Sequence, residues 1–207
     1  MKVKLCGLRR PEDIAYVNRL QPDFIGFVFA PGKRQVDAAT AAMLKKQLSS
    51  KIKAVGVFVN AELEQIQGLA ETGTIDMVQL HGDEDADYCR RLRALVQIPI
   101  IKAIRVRGES SFTGLDAYTC DYLLFDTYTP GQYGGTGQRF DLGLGDGRFI
   151  GKPYFVAGGL RADNVHEIMA GTKAFAVDVS GGVETDGVKD FAKMAAFMAS
   201  VRRDTND

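Results

Sequence analysis

The sequence has no apolar run near the roughly 18 residues that a membrane-spanning helix needs, and its start leads into a short strand-like run rather than a signal peptide. It has no excess charge, because 26 basic side chains balance 26 acidic ones without long runs of either sign. Its three cysteines are odd in number and lack the spacing of a disulfide framework. We therefore expect a soluble, cytoplasmic protein with free thiols and with neither a membrane nor nucleic acid as a partner.

Histidine is also scarce, since the chain has only His81 and His166. These histidines and the scattered acidic residues show no ligand spacing, so a metal site is disfavoured. His166 falls in a helical segment and is predicted to be a surface residue. No Gly-x-Gly-x-x-Gly motif follows the first predicted strand, which disfavours a dinucleotide-binding sheet.

What the sequence has instead is an alternation of buried strands and amphipathic helices. Short apolar runs rich in β-branched and aromatic residues predict strands at residues 3–6, 24–29, 54–59, 77–80, 98–104, 122–125, 154–156 and 174–179. Segments with helical spacing separate most of them. The fifth and sixth crossovers, residues 110–118 and 141–149, are short and rich in glycine.

Such alternation predicts parallel strands with right-handed crossovers. In a chain of 207 residues it fits an α/β fold with a single domain, a (β/α)8 TIM barrel spanning residues 1–207. The C-terminal tail, at about residues 202–207, is expected to fray. A doubly wound sheet is the rival architecture, and the sequence leaves both a monomer and a homodimer open.

In a barrel the reactive side chains lie at the carboxyl ends of strands and in the loops that follow. Polar residues occupy these positions here: Cys6, Arg34, Asn60, His81, Arg105, Asp126 and Asp178. Asp126 ends an apolar run and is followed by a glycine-rich loop, residues 127–137, which we expect to act as a lid. The sequence thus predicts an active site assembled from several strand ends.

Glycine pairs follow the seventh and eighth predicted strands, as Gly158-Gly159 and Gly181-Gly182. They predict a phosphate site, because backbone N–H groups next to glycine can approach an anion closely. Barrels commonly bind phosphate after these two strands. The alternative is that the glycines only make tight turns.

The reactive residue types are few enough to consider one at a time. Cys6 could act as a base or a nucleophile if nearby positive charge or N–H dipoles lower its pKa, whereas Cys89 and Cys120 are expected to be buried hydrophobes. His81 is expected to line the site or hydrogen-bond within it rather than act as a general base. Arg34 could bind a substrate carboxylate bidentately or be a solvated loop charge.

Several motifs occur in a fixed order along the chain. They are Lys4-Leu5-Cys6-Gly7-Leu8, the loop with Arg34, Gln79-Leu80-His81-Gly82, Phe125-Asp126 with Gly134-Gly135-Thr136-Gly137, Ala157-Gly158-Gly159-Leu160 with Asn164, and Asp178-Val179-Ser180-Gly181-Gly182-Val183-Glu184. Taken together, from residue 3 to about residue 193, the chain closely resembles the phosphoribosylanthranilate isomerase family of tryptophan biosynthesis.

The resemblance implies a (β/α)8 barrel and an Amadori rearrangement of N-(5′-phosphoribosyl)anthranilate to the 1-deoxyribulose 5-phosphate product, with no cofactor. It implies Asp126 as the general acid that opens the furanose ring and Cys6 as the general base that removes the C2′ proton. Arg34 would bind the anthranilate carboxylate and Asp178 the sugar hydroxyls, with His81 lining the site. The implied phosphate ligands are Gly135, Gly158, Gly159, Ser180, Gly181 and Gly182.

The chain departs from the family pattern at three positions near the site. Arg9 stands where the family usually has threonine, Gly32 where it usually has serine, and Gly181 where it usually has a second serine. None of these changes removes the acid, the base or a phosphate glycine. The first two could alter site packing or carboxylate binding.

Two other functions remain open from the sequence. A second phosphosugar barrel enzyme, such as indole-glycerol-phosphate synthase, would want a lysine at a strand end, and Lys102 lies inside the fifth predicted strand. A non-catalytic phosphosugar-binding protein would need the glycines alone. The presence of both Cys6 and Asp126 argues against that reading, because phosphate binding needs neither.

Overall fold

The computed structural model describes residues 1–126 and 151–203. The main strands are β1 (Lys2–Cys6), β2 (Phe24–Val28), β3 (Lys53–Phe58), β4 (Met77–Leu80), β5 (Ile100–Arg105), β6 (Tyr122–Asp126), β7 (Tyr154–Ala157) and β8 (Ala176–Val179). They form a closed parallel barrel in sequence order, with β1 paired to β8. The predicted (β/α)8 barrel is confirmed, and the doubly wound sheet is wrong.

Amphipathic helices cover the outer wall of this barrel. They are α1 (Pro11–Leu20), α2 (Ala38–Gln47), α3 (Leu63–Glu71), α4 (Ala86–Leu95), α5 (Val165–Ala170) and α6 (Phe191–Arg203). Asp37 and Asp85 cap α2 and α4, because their carboxylates accept the backbone N–H groups of Thr40 and Tyr88. The buried faces of the helices join the outward side chains of the strands in the main hydrophobic core.

The fifth crossover, which the structure describes throughout, contains two 3₁₀ turns rather than an α-helix. These turns are Glu109–Phe112 and Leu115–Ala117. Gly108 and Gly114 precede them with φ angles of +155° and +69°, which a continuous α-helix does not accommodate. Residues 141–149, predicted as the sixth crossover, lie outside the described residues, as do residues 204–207.

The strand boundaries agree with the predictions to within two residues. The largest differences are at the starts of β5 and β8, which were expected at residues 98 and 174 and begin at Ile100 and Ala176. Pro99 lies just before β5 and has no N–H group to donate to the neighbouring strand, so regular pairing starts after it. Apolar runs alone do not mark such ends.

The interior of the barrel changes from apolar to polar along the strands. Aromatic rings pack together near the amino ends of the strands, namely Phe24, Tyr122, Phe155 and Phe175. Lys4 and Gln79 are buried further along, and their side chains point to the same face of their strands as those of Cys6 and His81, two residues later. The polar interior therefore leads directly to the carboxyl-end mouth.

A small antiparallel hairpin follows β8, made of β9 (Glu184–Thr185) and β10 (Val188–Lys189). It places Glu184 and Lys189 beside the mouth. Within the described ranges, none of the helices is both long enough and apolar enough to cross a membrane.

Candidate active site

The mouth of the barrel gathers the polar residues that were predicted from strand ends. Cys6 ends β1, His81 follows β4, Asp126 ends β6 and Asp178 lies near the end of β8. Strand register aligns them, because Asp126 pairs with Ala157 on β7, and Ala157 pairs with Asp178. The expectation that separate strands deliver these groups to one place is met for all four.

Cys6 is a buried thiol with 8% of its surface exposed. Burial raises the pKa of Cys6, and the charge of Asp178 raises it further, while the charges of Lys4 and Lys189 lower it. The net direction is upward, because desolvation outweighs the two lysines. The positive charges that would favour a thiolate do lie near Cys6, but their effect is too small to lower its pKa below the ordinary value.

Asp178 and Lys4 form a buried ion pair across the β8–β1 seam. The Lys4 Nζ atom lies 2.8 Å from Asp178 Oδ2. Burial alone would lower the pKa of Lys4, but the carboxylate of Asp178 raises it above its ordinary value, so Lys4 stays an ammonium ion. Asp178 Oδ1 is buried and has no hydrogen-bond partner among the described residues. That oxygen can accept a hydrogen bond from a ligand.

His81 is hydrogen-bonded both to Asp126 at the mouth and to Gln79 in the barrel interior. Its Nε2 atom lies 3.3 Å from Asp126 Oδ2, and its Nδ1 atom lies 2.8 Å from the side-chain nitrogen of Gln79. Because the amide of Gln79 donates to Nδ1, the neutral tautomer carries its proton on Nε2 and donates to Asp126. His81 therefore has the hydrogen-bonding role expected of it, and Gln79 is the orienting partner that the sequence did not reveal.

Arg34 is an ion-paired residue rather than a solvated loop charge. Its Nε and Nη2 atoms each lie 2.7 Å from a carboxylate oxygen of Glu184, a bidentate geometry. The Arg34 side chain packs directly against Gly7, where an added Cβ atom would lie 2.5 Å from Arg34 Cδ. Nη1 has no hydrogen-bond partner among residues 1–126 and 151–203. The guanidinium is thus fixed at the mouth with one edge open.

Glu184 is held by two cations at once. Lys189 Nζ lies 2.7 Å from Glu184 Oε1, the oxygen that also accepts from Arg34. Burial alone would raise the pKa of Glu184, but the hydrogen bonds from Arg34 and Lys189 lower it to about 2. Sequence reasoning did not single out Glu184 or Lys189, although Glu184 closes the last motif. The hairpin turn after Glu184 brings Lys189 back to it.

The two glycine loops contact each other at the mouth. A Cβ atom on Gly182 would lie 1.8 Å from the backbone oxygen of Leu160, so only glycine permits this approach. Gly158 and Gly159 have φ angles of +100° and +63°. The hydroxyl of Ser180 donates to the backbone oxygen of Cys6 at 3.1 Å, which ties this loop to the thiol-bearing strand. The close turns are real, and the phosphate role stays a prediction.

The structure also places the other cysteines, the second histidine and Lys102, which the sequence left outside the main site. Cys89 is fully buried, and burial raises its pKa to about 11, as suits an inert hydrophobe; Cys120 is partly buried. His166 is exposed, as expected. Lys102 is buried on the outer side of β5, bonded to Glu84 at 2.8 Å, and does not point into the barrel. Gly135 and the predicted lid, residues 127–137, lie outside the described residues.

Comparison with known proteins places this geometry in a family. The model of the family described as N-(5′-phosphoribosyl)anthranilate (PRA) isomerase matches residues 3–200. The chain belongs to the PRA isomerase family. It is therefore an isomerase of the enzyme class that acts in tryptophan biosynthesis, as its motifs suggested.

Individual relatives agree with this assignment over nearly the whole chain. The N-(5′-phosphoribosyl)anthranilate isomerase of Lachnoclostridium phytofermentans is 43% identical over 214 residues, which cover 98% of each chain. That of Endomicrobium trichonymphae is 45% identical over 201 residues, covering 97% of this chain and 98% of the relative. Both alignments therefore span nearly the full length of the two proteins compared.

Solved structures of the family superpose closely on this barrel. Phosphoribosyl anthranilate isomerase from Thermotoga maritima has a TM-score of 0.84 and 35% identity, covering 98% of this chain and 99% of that one. A PRA isomerase in complex with reduced 1-(o-carboxyphenylamino)-1-deoxyribulose 5-phosphate has a TM-score of 0.83 and 32% identity, with the same coverage.

Proposed function

We propose that this chain converts N-(5′-phosphoribosyl)anthranilate to 1-(2-carboxyphenylamino)-1-deoxyribulose 5-phosphate by general acid and base catalysis, without a cofactor. The observation that carries the proposal is that a PRA isomerase match over residues 3–200 coincides with a thiol and a carboxylate at the mouth of one barrel. Cys6 is the proposed base and Asp126 the proposed acid. Phosphate binding alone would require neither group.

Ring opening is assigned to Asp126. Its proton passes to the furanose oxygen as the C1′–O bond breaks, while the anthranilate nitrogen supplies the electron pair that forms a cationic Schiff base. The carboxylate left behind receives the Nε2–H of His81, which lies at 3.3 Å. A donor aimed at a charge that develops during the reaction stabilises the transition state more than the ground state.

Proton abstraction is assigned to Cys6. The thiolate takes the proton from C2′, the C–H electrons form the C1′–C2′ double bond, and the iminium is neutralised to an enolamine. The enolamine then tautomerises to the ketone as C1′ gains a proton and the C2′ hydroxyl loses one. The cationic Schiff base adds positive charge beside a thiol whose pKa burial raises, and so favours the thiolate when it is needed.

The substrate contacts follow from the groups that remain open at the mouth. The free edge of Arg34, at Nη1, would receive the anthranilate carboxylate, and Asp178 Oδ1 would accept from a sugar hydroxyl. His81 would line the sugar site. The phosphate would lie on the two glycine loops, with the ligands Gly135, Gly158, Gly159, Ser180, Gly181 and Gly182.

The test is a turnover assay that follows the loss of substrate fluorescence. The unmodified chain is expected to turn over, and Cys6→Ala and Asp126→Asn are each expected to lower kcat by about 10²- to 10⁴-fold with the fold retained. Cys120→Ala is the matched thiol control, because Cys120 lies before β6 at the opposite end of the barrel. Undiminished turnover in Asp126→Asn would disprove the assignment of the acid, and binding without turnover in the unmodified chain would disprove the activity.

A further inference from the structure

Lys4 is a fully buried charge inside the barrel, with 0% of its surface exposed. It lies on β1 two residues before Cys6, so both side chains project from the same face of the strand. Its partner is Asp178 Oδ2 at 2.8 Å. Apolar residues that replace buried ion pairs often leave proteins equally or more stable, so stability alone gives no reason for a lysine here.

Four charged groups from different elements interact electrostatically with the Cys6 thiol. Lys4 comes from β1, Asp178 from β8, Lys189 from β10 and Arg34 from the loop after β2. Arg34 and Lys189 share the carboxylate of Glu184, which offsets part of their charge. The charge of Lys4 favours the thiolate, and the charge of Asp178 opposes it.

We propose that Lys4 is a positioning residue whose buried ammonium group, held by Asp178 below the barrel mouth, offsets part of the cost of forming the Cys6 thiolate in the buried site. The proposal rests on the proposed function in that Cys6 is taken as the base. The thiol loses its proton to solvent and regains one from C2′, while Lys4 keeps its own protons throughout. Lys4 supplies a counter-charge that does not leave with substrate or product.

Asp178 has a separate task at each of its oxygens in this scheme. Oδ2 fixes Lys4 in the interior, whereas Oδ1 faces no described partner and is left for the substrate. A bound sugar hydroxyl and the ammonium group would thus share one carboxylate. Through the Lys4–Asp178 ion pair, the binding of a sugar hydroxyl at Asp178 would be coupled to Lys4, whose charge acts on Cys6.

The first experiment measures the reactivity of Cys6 with iodoacetamide as a function of pH, followed by the mass of its peptide. Lys4→Met keeps the length of the side chain and removes the charge. We expect the titration midpoint to move to higher pH and the rate at about pH 8 to fall about tenfold or more, since an opposite charge nearby commonly changes such equilibria by that factor. An unchanged profile would overturn the proposal.

A second variant separates the charge effect from the loss of a structural partner, because Lys4→Met leaves Asp178 buried and unpaired. Lys4→Met/Asp178→Asn removes both charges. Because Lys4 lies on the same strand face as Cys6 whereas Asp178 lies on the neighbouring strand, the midpoint should still lie above that of the unmodified chain but below that of Lys4→Met. A return to the unmodified profile would show that Lys4 only neutralises Asp178, and the proposal would fail.

The control is the other buried strand lysine, Lys102, which is 2% exposed and bonded to Glu84 on the outer wall. Lys102→Met/Glu84→Gln should leave the Cys6 profile unchanged, and a shift as large as that in Lys4→Met would contradict the proposal. Alkylation requires no turnover. Failure of the isomerase assay in the unmodified chain would therefore disprove the proposed function, whereas a normal profile in Lys4→Met would disprove only the role of Lys4.

Discussion

Cys6 and His81 each come two residues after a buried polar side chain that projects from the same face of the backbone. Lys4 lies two residues before Cys6, and Gln79 lies two residues before His81, both within the barrel. The spacing of two is the period at which a strand returns to the same face. A lysine or glutamine inside an apolar run, two residues before a reactive residue, is a signal that a sequence can supply.

The partners of these residues are harder to predict than their positions. Lys4 pairs with Asp178, 174 residues away, and Arg34 pairs with Glu184, 150 residues away. Strand ends indicate which residues reach the mouth, because each end is a local feature. Pairing depends on register and on side-chain direction across the closed barrel, and neither is local. The sequence therefore predicted Arg34 at the site but not the carboxylate that holds it.

The bidentate pair predicts what Glu184 does for substrate binding. Glu184→Gln removes the charge that orients Arg34, so the guanidinium no longer presents its free edge in one direction. We expect KM to rise about tenfold and kcat to fall by less than KM rises, as steady-state kinetics would show. A substrate analogue without the anthranilate carboxylate is the control. If Glu184→Gln impairs that analogue equally, Glu184 does not act through carboxylate binding.

At the level of elements, neighbouring strands set the position of the thiol. Gly26 on β2 pairs with Cys6 on β1, and a Cβ atom on Gly26 would lie 2.5 Å from Cys6 Sγ. Gly26→Ala should therefore displace the thiol. We expect kcat to fall about tenfold or more and stability to fall by about 1–3 kcal/mol, measured by turnover and by urea unfolding.

Gly68→Ala on α3 is the matched control for that substitution. Gly68 lies within the helix, is exposed, and a Cβ atom there would meet nothing within 4 Å. The change should raise the free energy of unfolding by about 0.5–1 kcal/mol and leave kcat unchanged. Full activity in Gly26→Ala would show that the packing of β2 against β1 does not position the thiol.

The elements themselves were largely predictable because they depend on local patterns. Buried strands with helical segments between them indicated the barrel, and the caps Asp37 and Asp85 precede their helices as expected of such residues. The sequence did not show what structure the fifth crossover would form. Gly108 and Gly114 allow backbone conformations that apolar spacing does not reveal, and two short turns form there instead.

At the scale of the whole molecule, the closed barrel brings the first and last strands together. The Lys4–Asp178 pair spans that closure, and the Ser180 hydroxyl adds a bond to the backbone of Cys6. The hairpin after β8 then folds Glu184 and Lys189 over the same seam. The contacts that close the barrel therefore also surround the Cys6 thiol.

Acid should weaken the molecule partly through Glu184. Its pKa is about 2 in the folded protein and 4.5 ordinarily, so its contribution is complete above about pH 4.5 and is lost as pH falls toward about 2. Urea unfolding should show the unmodified chain more stable than Glu184→Gln at neutral pH, by on the order of 2–3 kcal/mol, with the difference shrinking through that interval.

The exposed residue Glu64 on α3 provides the control for this stability difference. Glu64→Gln makes the same change of charge and should alter stability by no more than about 0.5 kcal/mol at either pH. A difference between the unmodified chain and Glu184→Gln that stays constant down to about pH 2 would contradict the ionisation of Glu184 as its source.

The most direct test of the division of labour between Asp126 and Cys6 is the kinetic isotope effect on kcat/KM with substrate deuterated at C2′. In Asp126→Asn, ring opening should limit the rate, and the isotope effect should be near unity. In Cys6→Ala, breaking the C2′–H bond should limit the residual rate, and the effect should be well above unity. Equal isotope effects in the two variants, or the reverse order, would contradict the assignment of acid and base.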